Sequence, residues 1–310
     1  MEYLNEEQVR ERLTFEALIP AMERALRDLS LGKIQQPVRS VLRVAEHEGI
    51  FAQMPAVDGE VMGAKLVTVY EKNAEEGKLP THQATILLFS AKTGEPLAAM
   101  DGRLITEMRT AAVSAVATKL FAAADARVLA ILGSGVQARS HAQALRRVLD
   151  FTEVRVWSRT AENARKFAAE HAATATESAE AAVRGADVVV SASSVREPLV
   201  RGEWLGERTL VCAVGAVGPE RRELDDAAMR GAIVVESRAS AMRESGDVIG
   251  SGEPIHAEIG EVLAGLQPAP VRRVVFKSLG VAAEDLAAAA LVWAAREVMG
   301  GYRVQKQAET

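Results

Sequence analysis

The sequence predicts an α/β protein of two domains, a mixed α+β domain followed by a parallel sheet covered by helices on both faces. Three observations carry this. Between residues 38 and 105, short β-like runs follow one another with turn residues between some of them. From residue 127 onward, strand-like and helix-like segments alternate, the pattern of a parallel sheet. The chain has 310 residues, enough for two domains of ordinary size.

Taken in order, residues 5–31 read as one helix. Asn5 suits its cap, Glu6 and Glu7 its first turn, and Leu13, Leu18, Met22, Leu26 and Leu29 recur near helical spacing. The β-like runs are "VRSVLRV", "GIFAQMPAV", "VMGAKLVTVY", "QATILLFS" and "PLAAMDGRLI", with "DGE" and "KTGEP" as turns. Residues 106–122 form a helix with Thr106 as its expected cap. Strands are then predicted at 127–132, 154–157, 187–191, 210–214, 232–236 and 274–277, with Ala-rich helices at 136–149, 161–171 and 177–184. A last helix at about 281–299 is expected to pack back onto the first domain.

Composition narrows the function. Hydrophobic residues make up 48% and charged residues 25%, with a net charge of −5 and no basic block, which argues against a nucleic-acid partner. The single cysteine, Cys212, lies in apolar "TLVCAVGAVG". It cannot form an internal disulfide, no Cys/His cluster has zinc spacing, and no metal site is expected. A reducing, cytoplasmic compartment fits. The opening "EYLNEEQVRER" is too polar for a secretory leader. The longest apolar run, residues 286–295, is too short to span a bilayer, so no membrane association is expected.

The apolar run Val128–Leu132 stops at Gly133-Ser134-Gly135, and a helical pattern begins at once. Two readings compete: a tight turn alone, or a turn that lets an anion approach the backbone. "GSGVQA" matches G-x-G-x-x-A between a predicted strand and a predicted helix, the context required by a Rossmann dinucleotide site. Gly133 would make the turn, Gly135 would admit a pyrophosphate, and Ala138 would allow close helix–strand packing. The next strand ends at Ser158-Arg159-Thr160, where an NAD site usually places a carboxylate. A cation and two hydroxyls there favour NADP(H), with NAD(H) as the alternative.

Three cations stand in apolar or β-like surroundings: Arg39 in "QPVRSVL", Lys65 in "VMGAKLVTVY" and Arg109 in "TEMRTAAVSA". A charge so placed needs a partner or a wet cleft. Singly, each is more often a surface or ion-paired cation. Together they could hold a substrate carboxylate. His82 in "LPTHQATILLF" reads on its own as a satisfied histidine, and His47, His141, His171 and His256 are assigned no role.

These stretches, with "MDGRLITEMRTAAVSAVAT", "CAVGAVGPERRELDD", "ESGDVIGSG" and "FKSLGVAAEDLAAA", resemble the ornithine cyclodeaminase/mu-crystallin family over nearly the whole chain, most closely its ketimine-reducing members. The resemblance implies a substrate-binding and dimerisation domain over residues 1–118, joined by a C-terminal helix 291–310, and a Rossmann NAD(P)-binding domain over 119–290. It implies a homodimer. It implies that Arg39, Lys65 and Arg109 hold a substrate carboxylate, with Lys65 also supplying or relaying a proton and His82 in the cleft. The cofactor would be lined by Thr81, His82, Gln83, Arg109, Gly133, Ser134, Gly135, Val136, Gln137, Ser158, Arg159, Thr160, Ala192, Ser193, Val214 and Ser278.

The activity implied is NADPH-dependent reduction of small cyclic imines bearing a 2-carboxylate, such as 1-pyrroline-2-carboxylate or 1-piperideine-2-carboxylate, to cyclic L-amino acids such as proline. The alternatives are an alanine dehydrogenase, an ornithine cyclodeaminase and, in another class, a ligand-binding protein with little turnover. Ornithine cyclodeaminases carry an aspartate after the strand that here reads "VCAVGAVGPE". This chain has Ala216-Val217-Gly218 and no acid before Glu220, so ornithine cyclisation is not expected.

Overall fold

A computed structural model of the protein describes residues 1–73, 77 and 79–308. The chain separates into two compact units. Unit 1 comprises Met1–Arg109 and the segment from Val281 onward; unit 2 comprises Thr110–Gly280. The boundaries expected at 118/119 and 290/291 therefore fall earlier. The first division lies inside one continuous helix. At the second, the last helix begins at Ala282 and belongs to unit 1 as a whole. The final two residues of the expected 291–310 helix lie outside the described residues.

Unit 1 opens with β1 (Glu2–Leu4), α1 (Glu6–Arg12) and α2 (Phe15–Ser30). The single helix expected over 5–31 is thus two, because two caps compete for the segment. Asn5 and Gln8 bond reciprocally at the start of α1, and the Thr14 hydroxyl accepts from the Ala17 amide to start α2. Next come β2 (Ile34–Gln35), β3 (Ser40–Val44), β4 (Gly49–Asp58), β5 (Val61–Tyr70), β6 (His82–Ser90), β7 (Pro96–Asp101) and α3 (Arg103–Phe121). The sheet runs β1-β7-β6-β5-β4-β2, with β3 also on β4. β1 lies parallel to β7 and the other pairs are antiparallel.

The expected strand through residue 105 stops at Asp101. Its carboxylate accepts from the Arg103 and Leu104 amides and caps α3. Thr106, expected as that cap, lies within the helix and donates its hydroxyl to the Gly102 carbonyl.

Unit 2 runs β8 (Val128–Leu132), α4 (Val136–Leu145), β9 (Glu153–Trp157), α5 (Ala161–Glu170), β10 (Thr174–Ala175), α6 (Ala179–Val183), β11 (Val188–Ser191), β12 (Leu210–Ala213), α7 (Asp226–Met229), β13 (Ala232–Val235), α8 (Arg238–Glu244), α9 (Gly246–Ser251), β14 (Ile255–Glu258), α10 (Ile259–Leu263) and β15 (Val274–Lys277). Its strands are all parallel, in the order β10-β9-β8-β11-β12-β15-β13-β14. Strands β11, β12, β13 and β15 are buried at every position, as a sheet covered on both faces requires. The arrangement is a Rossmann fold. The order reverses between β8 and β11, the topological switch point at which such sheets bind ligands.

The last helix, α11 (Ala282–Ala308), returns the chain to unit 1, where it packs on α2, β4, β5 and β6. No helix among the described residues is long and apolar enough to cross a membrane.

Candidate active site

In unit 1 the pleat places Lys65 inside. Across the sheet, Met54 of β4 faces Lys65 of β5, which faces Ile86 of β6, which faces Met100 of β7. These four form a buried row in which three members are apolar and one is a lysine only 2% exposed. Its Nζ lies 2.7 Å from Asp285 Oδ2 at the start of α11, and donates to the Thr106 hydroxyl at 3.4 Å. Arg109, one turn beyond Thr106 on α3, is also buried. Its Nε donates to Asp285 Oδ1 at 3.1 Å and its Nη1 to Glu284 Oε2 at 2.8 Å.

Burial pushes Lys65 down to about 8. Asp285 opposes the fall, while Arg109 and Arg39 add to it by repulsion. Asp285 is held below the usual carboxylate range. Burial would raise it, but Lys65, Arg109 and Arg39 outweigh that. Arg39, half-buried before β3, therefore lies within electrostatic reach of both. His82, at the start of β6 beside β5, is pushed down to about 4 by burial and by the Lys65 and Arg109 charges. It is a neutral imidazole at physiological pH. The structure thus groups Arg39, Lys65, His82 and Arg109, with Thr81 and Gln83 flanking His82 on the same segment. Three cations are thus gathered at one place with two buried carboxylates.

In unit 2 the predicted cofactor residues gather at the carboxyl ends of neighbouring strands. Gly133–Gln137 follow β8, Ser158–Thr160 follow β9, Ala192 and Ser193 follow β11, Val214 follows β12 and Ser278 follows β15. The two glycines play different parts. Gly133 has φ +122, and a Cβ there would sit 2.6 Å from the Ala192 carbonyl oxygen, so the fold itself demands glycine. A Cβ on Gly135 would meet nothing within 4 Å. Gly135 is the N-cap of α4, so an anion placed there would meet a helix N-terminus. The Ser134 and Ser158 hydroxyls lie 2.9 Å apart, joining the turn to the tip of β9, and Arg159 is exposed beside them. These features fit a dinucleotide. Ser278 differs from the rest, because it is buried and its hydroxyl donates to Glu236 at 2.5 Å, which commits it to the fold.

Several charged residues here went unread in the sequence. Asp285 and Glu284 sit in "VAAEDLAAAA" and Lys277 in "VVFKSLG", and the signal was the one that marks Lys65, a charge inside an apolar run. Lys277, 1% exposed, donates to Glu223 at 2.9 Å and to the Ala216 carbonyl at 2.9 Å, and lies 3.0 Å from Asp247. Burial alone would lower it, but the two carboxylates raise it above the usual lysine range. His141 is also fully buried, between the Gln137 carbonyl and the Ser114 hydroxyl.

The sequence pattern of the ornithine cyclodeaminase/mu-crystallin family matches residues 2–298. The chain belongs to this family. It is 46% identical over 301 residues to the ketimine reductase mu-crystallin of Mus musculus, covering 94% of this chain and 96% of that protein. Among solved structures, the Thermococcus litoralis Δ1-pyrroline-2-carboxylate reductase in complex with NADH and L-proline superposes with a TM-score of 0.92 at 35% identity, over 97% of this chain and 98% of that one. An archaeal alanine dehydrogenase dimer with bound NAD superposes with a TM-score of 0.91 at 32% identity, over 97% of each chain.

The segment after β12 carries no acid before Glu220. Ala216 is buried, Val217 is 43% exposed and Gly218 is left-handed at φ +123. The first acid beyond them, Glu220, is exposed, and the next, Glu223, is tied to Lys277.

Proposed function

We propose that the chain is an oxidoreductase that reduces small cyclic ketimines carrying a 2-carboxylate, such as 1-pyrroline-2-carboxylate or 1-piperideine-2-carboxylate, to cyclic L-amino acids such as proline. The observation that carries this reading is the gathering of Lys65, Arg109 and half-buried Arg39 around the buried carboxylates Glu284 and Asp285 of unit 1. A substrate carboxylate is the anion that such a group of cations suits. Arg39, the half-buried member, meets the substrate carboxylate with Lys65. Arg109, its guanidinium oriented by Glu284 and Asp285, completes the clamp. His82, neutral, lines the same site.

The bound dinucleotide supplies the hydride. Lys65, brought near neutrality by its surroundings, gives the proton that the ring nitrogen requires. The Gly133–Gln137 turn holds the pyrophosphate, and Ser158, Arg159 and Thr160 favour NADPH over NADH through the 2′-phosphate. No carboxylate occupies residues 214–219, which disfavours ornithine cyclisation.

The decisive experiment follows NADPH consumption with 2-carboxylated imines and with the same rings lacking the carboxylate. The wild type should strongly prefer the acid. Arg39→Ala should lower kcat/KM at least about 30-fold and erase most of that preference, the loss expected when one member of a desolvated charge pair is removed. A preference that survives the substitution refutes the clamp, and turnover that requires free ammonia would favour an amino-acid dehydrogenase. For the cofactor, Arg159→Ala should weaken NADPH about 10- to 150-fold, since a charged hydrogen bond contributes about 1.5–3 kcal/mol, and leave NADH nearly unchanged. Equal losses would exclude the 2′-phosphate contact.

We also propose a homodimer. Strand β3 has no buried residue, and it exposes Val41 (45%) and Leu42 (58%), an apolar edge suited to a partner. Light scattering should give the mass of two chains, and Leu42→Glu should reduce it to one. A monomeric wild type would refute this.

A further inference from the structure

A cluster that binds an anion gains nothing obvious from two carboxylates buried among its cations, yet Glu284 and Asp285 are 0% and 1% exposed. Asp285 has the more telling geometry. Each of its oxygens faces a different cation, Oδ2 the Lys65 ammonium at 2.7 Å and Oδ1 the Arg109 Nε at 3.1 Å. Glu284 contacts Arg109. Asp285 also lies in the first turn of α11, where the helix end favours a negative charge and fixes its position. Thr106 completes the setting, since its hydroxyl donates to the Gly102 carbonyl and so presents a lone pair to Lys65.

We propose that Asp285 is a positioning residue for the reduction, anchoring the Lys65 ammonium with one oxygen and the Arg109 guanidinium with the other so that Lys65 keeps a proton to give. The assignment rests on the reductase reading above. In the balanced step, the ring nitrogen takes a proton from Lys65 Nζ while the hydride, carrying two electrons, adds to the C=N carbon. One N–H and one C–H bond form, the C=N π bond is lost, the dinucleotide leaves oxidised, and Lys65 is left as a free amine that regains its proton from water.

The titratable and charged groups of this cluster besides Lys65 are Arg39 before β3, neutral His82 on β6, Arg109 on α3, and Glu284 and Asp285 on α11. Arg39 and Arg109 repel a proton on Lys65, and Asp285 retains it. Removing the Asp285 charge while keeping its shape should therefore leave Lys65 a free amine at neutral pH.

The test uses the full chain with 13C-labelled lysine, the Lys65 Cε signal being assigned by its absence in Lys65→Arg. In Asp285→Asn the Lys65 titration midpoint should fall by about 1 to 3 pH units, as expected when an opposite charge within hydrogen-bond distance is lost. In Asp285→Glu it should stay in place. In steady-state assays the high-pH limb of kcat should move down with the midpoint in Asp285→Asn, with KM for NADPH unchanged. A midpoint that does not move, or a kcat that falls uniformly at every pH, would make Asp285 merely structural and overturn the proposal. If Asp285→Asn does not fold, Asp285→Glu carries the test. It keeps the charge but displaces the anchor by one methylene, so the midpoint should hold while kcat falls, and a wild-type kcat would overturn the proposal. The NMR arm needs no turnover. A wild type that reduces no 2-carboxylated imine therefore refutes the reductase reading separately, whatever the Lys65 midpoint does.

Discussion

Two lysines in this molecule are equally buried and electrostatically opposite. Lys277 in unit 2 meets two carboxylates and a carbonyl, and is raised above the usual lysine range. Backbone and hydroxyl donors hold the carboxylates as well. Glu223 accepts from the Gly215 and Ala216 amides and the Ser191 hydroxyl, and Asp247 from the Glu223 and Leu224 amides. That network is closed and holds the turn after β12. Lys65 in unit 1 meets one carboxylate shared with Arg109, feels Arg39 as well, and falls to about 8. Burial alone does not distinguish a structural lysine from a reactive one. The count of opposite charges around it does.

The contrast can be broken by deleting each lysine. Lys277→Met leaves Glu223 and Asp247 buried with no cation in their network, and should cost about 3–5 kcal/mol of stability in urea denaturation. Lys65→Met leaves both buried carboxylates still paired with Arg109, and should cost less than half as much. Activity should reverse the order. Lys65→Met should lose at least about 30-fold in kcat/KM, and Lys277→Met should retain kcat per folded molecule. Equal stability losses would erase the distinction.

His141 sharpens it with a smaller effect, as a buried base with no charged partner at all. The Gln137 carbonyl can only accept, so Nδ1 carries the proton and Nε2 accepts from Ser114. Burial pushes His141 down to about 4, with the Gln137 bond opposing. Between about 4 and 6.5 the unfolded chain therefore binds the extra proton. Stability should be full above 6.5 and fall by about 3 kcal/mol as pH drops through that window. His141→Gln should flatten this part of the profile, measured by urea midpoints from pH 4 to 7. An unchanged slope would show that His141 is not the group responsible.

The legible parts of the sequence were those with a long period or a special backbone. The six central strands of unit 2 lie within a residue of their expected ends, because continuous β-branched runs have few other homes. The glycine turn was readable because its two glycines stand between strand and helix. The short elements α7 to α10 were not, since four to seven residues span too few turns to show a period. The break at Leu13 was hidden because Thr14 is an ordinary residue until its hydroxyl finds Ala17. The cations of the site were visible as charges in apolar stretches. Their carboxylates were equally visible in "AAEDLAAAA", but pairing residues that lie 175 or more positions apart takes a fold.

Because unit 2 interrupts unit 1, the halves of the cation cluster are separated in time as well as in sequence. A ribosome adding about 5–20 residues per second needs on the order of ten seconds or more to pass from Arg109 to Glu284. Throughout that interval the nascent first segment carries Lys65 and Arg109 without the carboxylates that neutralise them. The intervening unit, whose own charges are all encoded within it, can finish folding meanwhile. Unit 1 therefore cannot complete its cation cluster before α11 has been synthesised.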